Sequence, residues 1–403
     1  MASLIANNLV SENACGILPC ASYMTYFDHN ATAPLHPAAR QAWLEAAEKF
    51  IANPSSPHRL GSRADAALED ARCRLAGMMG CPAHNLVWTS GATEANNQVL
   101  HHFARTLPPE ATVCLSAIEH PSVTETAEHY FGTRVRLIPV GHDGVVELNW
   151  LAEELAQRRP GLVAVMAANN VTGVIQPWEQ IAQICRRSEV PYFCDAVQWF
   201  GKESASSLSA CDIVSGCAHK VGGPRGVGFL KCATQSDFKP LLFGGPQEEG
   251  RRAGTENVAS VLALVAMLET RHSLLGEKEA RRQMRDRFIE RLVSEVPGVE
   301  IVGARQRMLW NTVAALLPEM DCRQRWVVKL DKMGVAVSTG SACSSGKEEP
   351  SPVLLAMGYA PGQAGRVLRF SSGWETSEKD WDKLLDAIKE AAKELRPLAP
   401  ANC

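Results

Sequence analysis

Short apolar runs rich in β-branched residues alternate with longer amphipathic segments from about residue 36 to residue 270. Short runs bounded by glycine or polar residues are typical of buried strands, whereas apolar residues three or four positions apart indicate helices. The pattern predicts an α/β fold with a mainly parallel sheet. The predicted strands are LVWTSG, TVCLSA, RVRLIPV, LVAVMAANN, VPYFCDA and CDIVSGCAH, and the predicted helices are HPAARQAWLEAAEKF, SRADAALEDARCRLAGMM and PWEQIAQICRRS.

The pattern changes after the segment GRRAGTEN. A long helical stretch reaches about Pro297, and short apolar segments then lead to a terminal amphipathic helix in SEKDWDKLLDAIKEAAKELRP. This α+β pattern predicts a second, smaller domain. We expect a large domain over residues 24–268 and a small domain formed by residues 1–23 and 269–403.

Composition narrows the class of protein. A chain of 403 residues, 46% hydrophobic and 21% charged, can bury a sizeable core. Its net charge of -3, with acidic and basic residues interleaved, gives no basic patch for nucleic acid or an anionic membrane. The sequence contains no 18-residue apolar run and no basic N-terminal segment of the kind found in export signals. We therefore expect a cytoplasmic protein with small-molecule or protein partners.

The thirteen cysteines favour neither a disulfide framework nor a metal site, because they form no C-x-x-C pair and no Cys/His group at zinc spacing. Most of them, such as Cys114, Cys185 and Cys194, lie in apolar runs and are expected to be inert core residues. Cys343 is different, because it lies in STGSACSSG among small polar residues and glycine. A thiol in such a segment is either incidental or functional.

Polar residues follow the predicted strands, at the sheet edge where ligands of parallel sheets bind. Thr93 begins a helix after Gly91, and the free N–H groups of that helix suit a phosphate, although an ordinary helix cap would look the same. Asp195 ends one strand and Lys220 follows another. Each alone has a simple structural explanation. Together they supply what pyridoxal phosphate needs: a lysine for a Schiff base, an acid for the pyridine nitrogen and an anion site.

Ordered motifs along nearly the whole chain resemble those of cysteine desulfurases of the nitrogen-fixation and iron–sulfur-cluster type. These are fold-type I pyridoxal-phosphate enzymes of the class V aminotransferase superfamily. The resemblance implies a large domain with a mainly parallel seven-stranded sheet flanked by helices, and a smaller α+β domain. The motifs are YFDHNATAPLHPAAR, NPSSPHRLGSRA, GATEANN, EHPSV, ANNVTGVIQP, DAVQ, HKVGGPRGVG, GGPQEEGRRAGTENV, STGSACSSG and RFSSG.

The resemblance also implies a role for each residue around the cofactor ring. Lys220 forms the Schiff base with pyridoxal 5'-phosphate, and Asp195 pairs with the pyridine nitrogen. His120 stacks on the ring and assists proton transfers, while Gln198 donates a hydrogen bond to the phenolate oxygen.

The resemblance further implies that Thr93 and His219 bind the phosphate together with the backbone at Gly91 and Ala92. Thr255 reaches in from a second subunit, so the resemblance implies a homodimer with a shared active site. Cys217 stands where the family usually has a serine that binds the phosphate, and a thiol is a weaker donor. Cofactor affinity is therefore expected to depend more on the other phosphate ligands.

Asn170 and Arg369 are implied to bind the substrate carboxylate, the latter through its planar two-point fork. Cys343, on a mobile loop at residues 338–351, is implied to take the sulfur of L-cysteine and to carry the persulfide to an acceptor protein. The alternative for Arg369 is a strand residue in a surface ion pair, which would contribute little.

Two other functions stay open at this point. One is a selenocysteine lyase or another class V enzyme, which is less favoured because such chemistry does not require the long cysteine-bearing loop. The other is a non-catalytic assembly partner, suggested by Cys217 and by Val171, which stands where the family commonly has glutamate. The sequence identifies neither the persulfide acceptor nor a role for residues 1–22.

Overall fold

The computed structural model describes residues 24–232, 238–303, 307–319, 323–339 and 350–395. The strands in these ranges are β1 (Thr25–Tyr26), β2 (Leu86–Thr89), β3 (Val113–Ser116), β4 (Val135–Ile138), β5 (Leu162–Ala164), β6 (Tyr192–Asp195), β7 (Ile213–Cys217), β8 (Gly228–Cys232), β9 (Glu300–Ile301), β10 (Thr312–Leu316), β11 (Val335–Ala336) and β12 (Val367–Ser371). The helices are α1 (Pro37–Lys49), α2 (Arg59–Met79), α3 (Ala92–Thr106), α4 (Pro121–Phe131), α5 (Leu148–Arg158), α6 (Trp178–Arg187), α7 (Val258–Ser273), α8 (Lys278–Glu295), α9 (Arg323–Lys332), α10 (Pro352–Ala356), α11 (Pro361–Ala364) and α12 (Glu378–Glu394).

The main sheet has seven strands in the order β2-β8-β7-β6-β5-β3-β4. Only β8 runs against the others, since it is antiparallel to both β2 and β7 while the remaining pairs are parallel. The mainly parallel sheet predicted from the sequence is therefore confirmed. All six strands proposed from apolar runs are present, and β8, which was not among them, completes the sheet.

Helices cover both faces of this sheet, and this is why its central strands are continuous apolar runs. Successive side chains of a strand point to opposite faces. Along β6, Tyr192 and Cys194 join one buried cluster with α1, α2, α6 and α7, whereas Phe193 joins another with α3 and α4. Cys114 and Cys185 are also fully buried, as expected, and burial raises the pKa of both thiols to about 12.

A separate apolar cluster surrounds the antiparallel sheet β12-β10-β9, against which α8 and α12 pack. This part of the chain has the predicted α+β texture. The helical stretch that the sequence extended to Pro297 is two helices, α7 and α8, separated by a 3₁₀ turn at Leu275–Glu277. Phe27, next to β1, packs into this cluster. The domain boundary at residue 268, which lies within α7, stays a prediction.

In the described ranges, no single helix has both the length and the apolar character needed to cross a membrane. One pair, Val258–Ser273 with Leu275–Glu295, meets that criterion jointly by length and composition, with a 41° bend between its two parts.

A buried ion pair anchors the segment that contains Thr255. Arg72 of α2 donates two hydrogen bonds of 2.8 Å to the carboxylate of Glu248, whose backbone has the left-handed φ of 50°. The same carboxylate accepts the N–H of Trp88 in β2 at 2.9 Å, and Arg72 also donates to the carbonyl of Leu86. The strand that leads to Gly91 and the segment around residue 248 are thus held by one charged pair.

We expect Arg72→Met to lower the free energy of unfolding by about 3–5 kcal/mol, because it leaves the Glu248 carboxylate buried without its partner. The control is Arg74→Met on the same helix, which removes a solvent-exposed pair with Glu269 and should cost at most about 1 kcal/mol. Urea unfolding of both variants measures the difference. Equal losses would contradict a special role for the buried pair.

Candidate active site

The residues that the sequence placed after separate strands lie along one edge of the sheet. Gly91 follows β2, His120 follows β3, Asp195 ends β6 and Lys220 follows β7. Because these strands run in the same direction, their carboxyl ends meet at that edge.

Lys220 and Gln198 meet at a single backbone atom. The Lys220 ammonium donates to the carbonyl oxygens of Asn30 at 2.6 Å and Ala31 at 2.7 Å. Nε2 of Gln198 donates to the same Asn30 carbonyl at 3.0 Å. The segment DHNATA therefore brings together the two side chains predicted to hold the Schiff-base carbon and the phenolate oxygen of a cofactor.

Asp195 and His120 are linked through two other side chains. Nδ2 of Asn96 donates to Oδ2 of Asp195 and to the hydroxyl of Ser122, both at 2.8 Å. The Ser122 hydroxyl lies 2.8 Å from Nδ1 of His120. A second Asp195 oxygen accepts the N–H of Val197 at 3.0 Å. These contacts fix the orientation of a carboxylate that is only 7% exposed.

The N-terminus of α3 is open toward this edge. Gly91, its cap residue, has φ of 155° and ψ of 176°, a combination that only glycine adopts readily. No side chain of the described residues caps this helix end, and a Cβ on Gly91 would meet no atom within 4 Å. The N–H groups at Ala92 and Thr93 are therefore placed to bind an anion. A Cβ on Gly228 of β8 would lie 2.7 Å from the Gly91 Cα, so this approach requires glycine.

Two neutral groups, Cys217 and His219, lie at the end of β7 and just after it. Burial lowers the pKa of His219 to about 4, assisted by the neighbouring charges of Lys220 and Arg225, so its imidazole is neutral near pH 7. Its Nδ1 lies 3.2 Å from the hydroxyl of Thr32. Cys217 is 2% exposed, and burial raises its pKa to about 11, so it stays a protonated thiol.

Arg369 lies in the middle of β12 and is 1% exposed, which excludes the surface ion pair considered from the sequence. It donates to a carboxylate oxygen of Asp28 at 2.5 Å and to the carbonyl of Asn170 at 3.0 Å. Its Nε is buried without a partner among the described residues. The structure thus brings together Arg369 and Asn170, the two residues predicted to bind a carboxylate.

The proposed catalytic loop begins directly beside this arginine. The backbone groups of Ser338 and Arg369 exchange two hydrogen bonds, of 2.8 and 3.2 Å. At the other end of the loop, Ser351 is 1% exposed. Cys343 lies outside the described residues.

Two further positions singled out from the sequence, Thr255 and Val171, lie on the surface and in an apolar cluster respectively. Thr255 is exposed on the surface of the chain, and its contribution to the site of a second subunit stays a prediction. Val171 is 3% exposed within an apolar cluster that includes Ile118 and Leu354. At that position the chain therefore has a packing residue.

Three buried residues of the site were missed by the sequence analysis: Asn30, Asn96 and Lys202, which are 1%, 0% and 5% exposed. Two of them lie in quoted motifs, DHNATA and GATEANN, as polar residues among small ones. Lys202 follows Gln198 by four residues and donates to its carboxamide oxygen at 2.6 Å. No local pattern distinguishes a lysine of this kind from a solvated one.

The fold and this edge of the sheet define a fold-type I enzyme of the pyridoxal-phosphate class. The residues fit the cofactor, because they combine a lysine amine, a buried oriented carboxylate and an open helix N-terminus beside one another. Comparison with known proteins gives the family. Residues 25–384 match the model of the aminotransferase class-V family. A cysteine desulfurase of Klebsiella pneumoniae is 35% identical over 379 residues, which cover 93% of this chain and 94% of that protein.

The chain belongs to the class-V aminotransferase family, among its cysteine desulfurases, which are generally pyridoxal-phosphate enzymes. Solved structures agree. A NifS-like protein matches with a TM-score of 0.85 and 30% identity, covering 92% of this chain and 100% of that one. SspA, solved in complex with cysteine, matches with a TM-score of 0.75 and 26% identity, covering 86% of this chain and 98% of that one.

Acid should destabilise the fold through His29. Burial lowers its folded-state pKa to about 4, whereas an unfolded histidine titrates near 6.5. Between these values only the unfolded chain binds the proton, so stability is present near pH 7 and is lost as pH falls. His29 should account for about 2 kcal/mol of the loss at pH 5.

His29→Gln removes this contribution, and urea unfolding at pH 7 and pH 5 compares the two proteins. We expect the acid-induced loss to be smaller in the variant by that amount. An identical loss in both proteins would contradict the assignment.

Proposed function

We propose that this protein is a pyridoxal-phosphate-dependent cysteine desulfurase that converts L-cysteine to L-alanine and leaves the sulfur as a persulfide on Cys343. The observation that carries the proposal is the convergence of Lys220 and Gln198 on Asn30, at the same sheet edge as the buried Asp195 carboxylate and the open end of α3. Its membership of the desulfurase family supports the choice of reaction.

Around the cofactor ring, Lys220 provides the covalent attachment and Asp195 keeps the pyridine nitrogen protonated. Asn96 holds the Asp195 carboxylate in place, and through Ser122 it also positions His120 for stacking and proton transfer. When bound, pyridoxal phosphate supplies an electron sink for the bonds broken at the substrate Cα.

The phosphate site combines the N–H groups at Ala92 and Thr93 with His219 and, from the second copy, Thr255. Neutral His219 donates through one ring nitrogen without bringing a charge next to Lys220. Cys217 is protonated and contributes at most a weak S–H donor. The anion is therefore held mainly by the backbone at the α3 N-terminus.

A homodimer is part of the proposal. A surface pocket of about 340 Å³ borders the segment that follows Lys220, from Gly223 to Arg225. Trp43 and Leu44 of α1 line it side by side and are 39% and 43% exposed, so its wall is an exposed apolar surface. A second copy covering this apolar surface would place its own residues beside the Lys220 segment.

The substrate carboxylate binds to Arg369 and Asn170. Asp28 and the carbonyl of Asn170 already hold the guanidinium in one orientation, so little side-chain entropy is lost on binding. That the similar protein SspA was solved in complex with cysteine supports L-cysteine as the ligand.

Sulfur transfer uses the thiolate of Cys343. Its Sγ forms a bond to the substrate sulfur while the Cβ–S bond of the substrate breaks. The electron pair of the broken bond stays with the fragment that contains Cβ. Protonation of Cβ gives the methyl group of L-alanine. L-cysteine and one thiol thus become L-alanine and one persulfide without an external oxidant or reductant. A protein thiol that meets the Cys343 segment then accepts the sulfur.

Cys343→Ser should abolish alanine formation from L-cysteine, because the hydroxyl is not a sulfur acceptor. The wild type, incubated without added thiol, should gain on Cys343 the ~32 Da of one sulfur atom, read by peptide mass spectrometry. Cys73→Ser, which removes an exposed free thiol on α2, is the matched control and should keep full activity. Undiminished alanine production by Cys343→Ser would overturn the persulfide mechanism.

The shared site makes a complementation experiment decisive. Lys220→Ala chains cannot bind the cofactor covalently, and Thr255→Val chains should bind it about tenfold more weakly, by loss of one hydrogen bond to a charged group. In a mixed dimer of the two variants, one site receives Lys220 from one chain and Thr255 from the other. We expect wild-type cofactor affinity at that site. Affinity no better than that of the Thr255→Val homodimer would show that Thr255 acts in its own chain or not at all.

A further inference from the structure

Lys202 is a buried cation beside the proposed cofactor site, and among the described residues no carboxylate pairs with it. Its ammonium lies 2.6 Å from the carboxamide oxygen of Gln198, 3.3 Å from the backbone carbonyl of Gln198 and 3.5 Å from Oδ1 of Asn30. The neighbouring acid, Glu203, pairs with Lys278. Lysines are almost never fully buried unless they are paired with an opposite charge, so the retention of this one requires a reason.

The contacts of Gln198 allow only one orientation of its carboxamide. An ammonium group is only a donor and a backbone carbonyl is only an acceptor. Oε1 must therefore face Lys202, and Nε2 must face the Asn30 carbonyl, which it meets at 3.0 Å. If the amide were rotated, Nε2 would face the Lys202 ammonium, donor against donor, and Oε1 would face the Asn30 carbonyl, acceptor against acceptor. Nε2 carries a second hydrogen, which the phenolate oxygen of the cofactor would accept.

We propose that Lys202 is a positioning residue that locks Gln198 with its N–H groups toward the phenolate oxygen of pyridoxal phosphate. The inference rests on the function proposed above. A donor at this oxygen stabilises the phenolate anion, and it therefore opposes protonation of the bound cofactor.

The charge of Lys202 is not needed for this role. Burial, together with the positive charges of Lys220 and Arg369 and against the opposing effect of Cys217, lowers its pKa to about 7. His29 also faces this group. The amine is therefore largely neutral above pH 8, yet a neutral amine still donates to Oε1, and the Asn30 carbonyl, which can only accept, keeps Nε2 on its own side. Orientation and charge can consequently be separated by experiment.

The test is a pH titration of the visible absorption band of the holoenzyme, together with the dissociation constant of the cofactor. We expect Lys202→Met to raise the pKa of the band by about one unit and to weaken cofactor binding about tenfold, because the Gln198 donor is no longer fixed. Lys231→Met is the control. That lysine is also buried, donates to the carbonyls of Ser209 and Cys211, and should leave the band unchanged.

Two more variants exclude a purely electrostatic or structural effect. Lys202→Gln has no charge but keeps an N–H donor, and we expect it to restore most of the wild-type pKa. In a Gln198→Ala background, Lys202→Met should shift the pKa by less than half as much as in the wild type, since the group it positions is gone. Lys202→Leu replaces Lys202→Met if the latter does not fold.

The outcomes are distinguishable. A wild-type protein that shows no cofactor band overturns the proposed function itself. If the pKa of the absorption band is the same in the wild type and in Lys202→Met, only the role of Lys202 is overturned. The same holds if the shift caused by Lys202→Met persists fully in the Gln198→Ala background.

Discussion

The hydrogen bonds of Asn30 are the constraint on which the site depends. Its backbone carbonyl accepts from both Lys220 and Gln198, while its own N–H donates to the hydroxyl of Ser371 in β12. Its side-chain amide donates to the hydroxyl of Thr312 in β10 at 2.9 Å. One residue, 1% exposed, therefore connects the cofactor edge of the main sheet with the smaller antiparallel sheet. In such a buried network every group needs its partner, because an unsatisfied polar group away from water is costly. The relative position of the two sheets and the geometry of the lysine are thus set together.

The electrostatics of the site follow from the same burial. Lys220, Lys202 and Arg369 lie close enough to influence one another, and desolvation lowers the pKa values of His29, His219 and Lys202. A low local dielectric strengthens every remaining interaction, including that of the uncapped α3 N-terminus with an anion. A phosphate, a phenolate and a carboxylate are the complementary charges; in the proposed function the cofactor would bring the first two and the substrate the third. The surrounding groups that stay neutral, such as His219 and Cys217, limit the repulsion that would otherwise accumulate around Lys220.

The α/β alternation and the helices on both sheet faces could be predicted because apolar periodicity reports directly which faces are buried. The residues that follow each strand could be predicted for the same reason, since strand ends in a parallel sheet share an edge. Strand β8 was missed because Gly228–Cys232 directly follows a glycine-rich segment, so its apolar run does not stand out. The division of the long helical stretch into α7 and α8 was also missed, although the 3₁₀ turn at Leu275–Glu277 contains Gly276, a poor helix former that marks the break.

The sequence alone determined the fold class and the family resemblance, and it predicted Lys220 and Asp195 as a cofactor pair. Each of these depends on local patterns of residue type, which the chain displays directly. Only the tertiary structure decided which polar residues support them. Asn30 lies 190 positions from Lys220 along the chain, and the orientation of Gln198 depends on a lysine whose burial no local pattern reveals. Hydrogen-bond partners of this kind are chosen by packing between distant segments, and burial then makes each of those contacts obligatory.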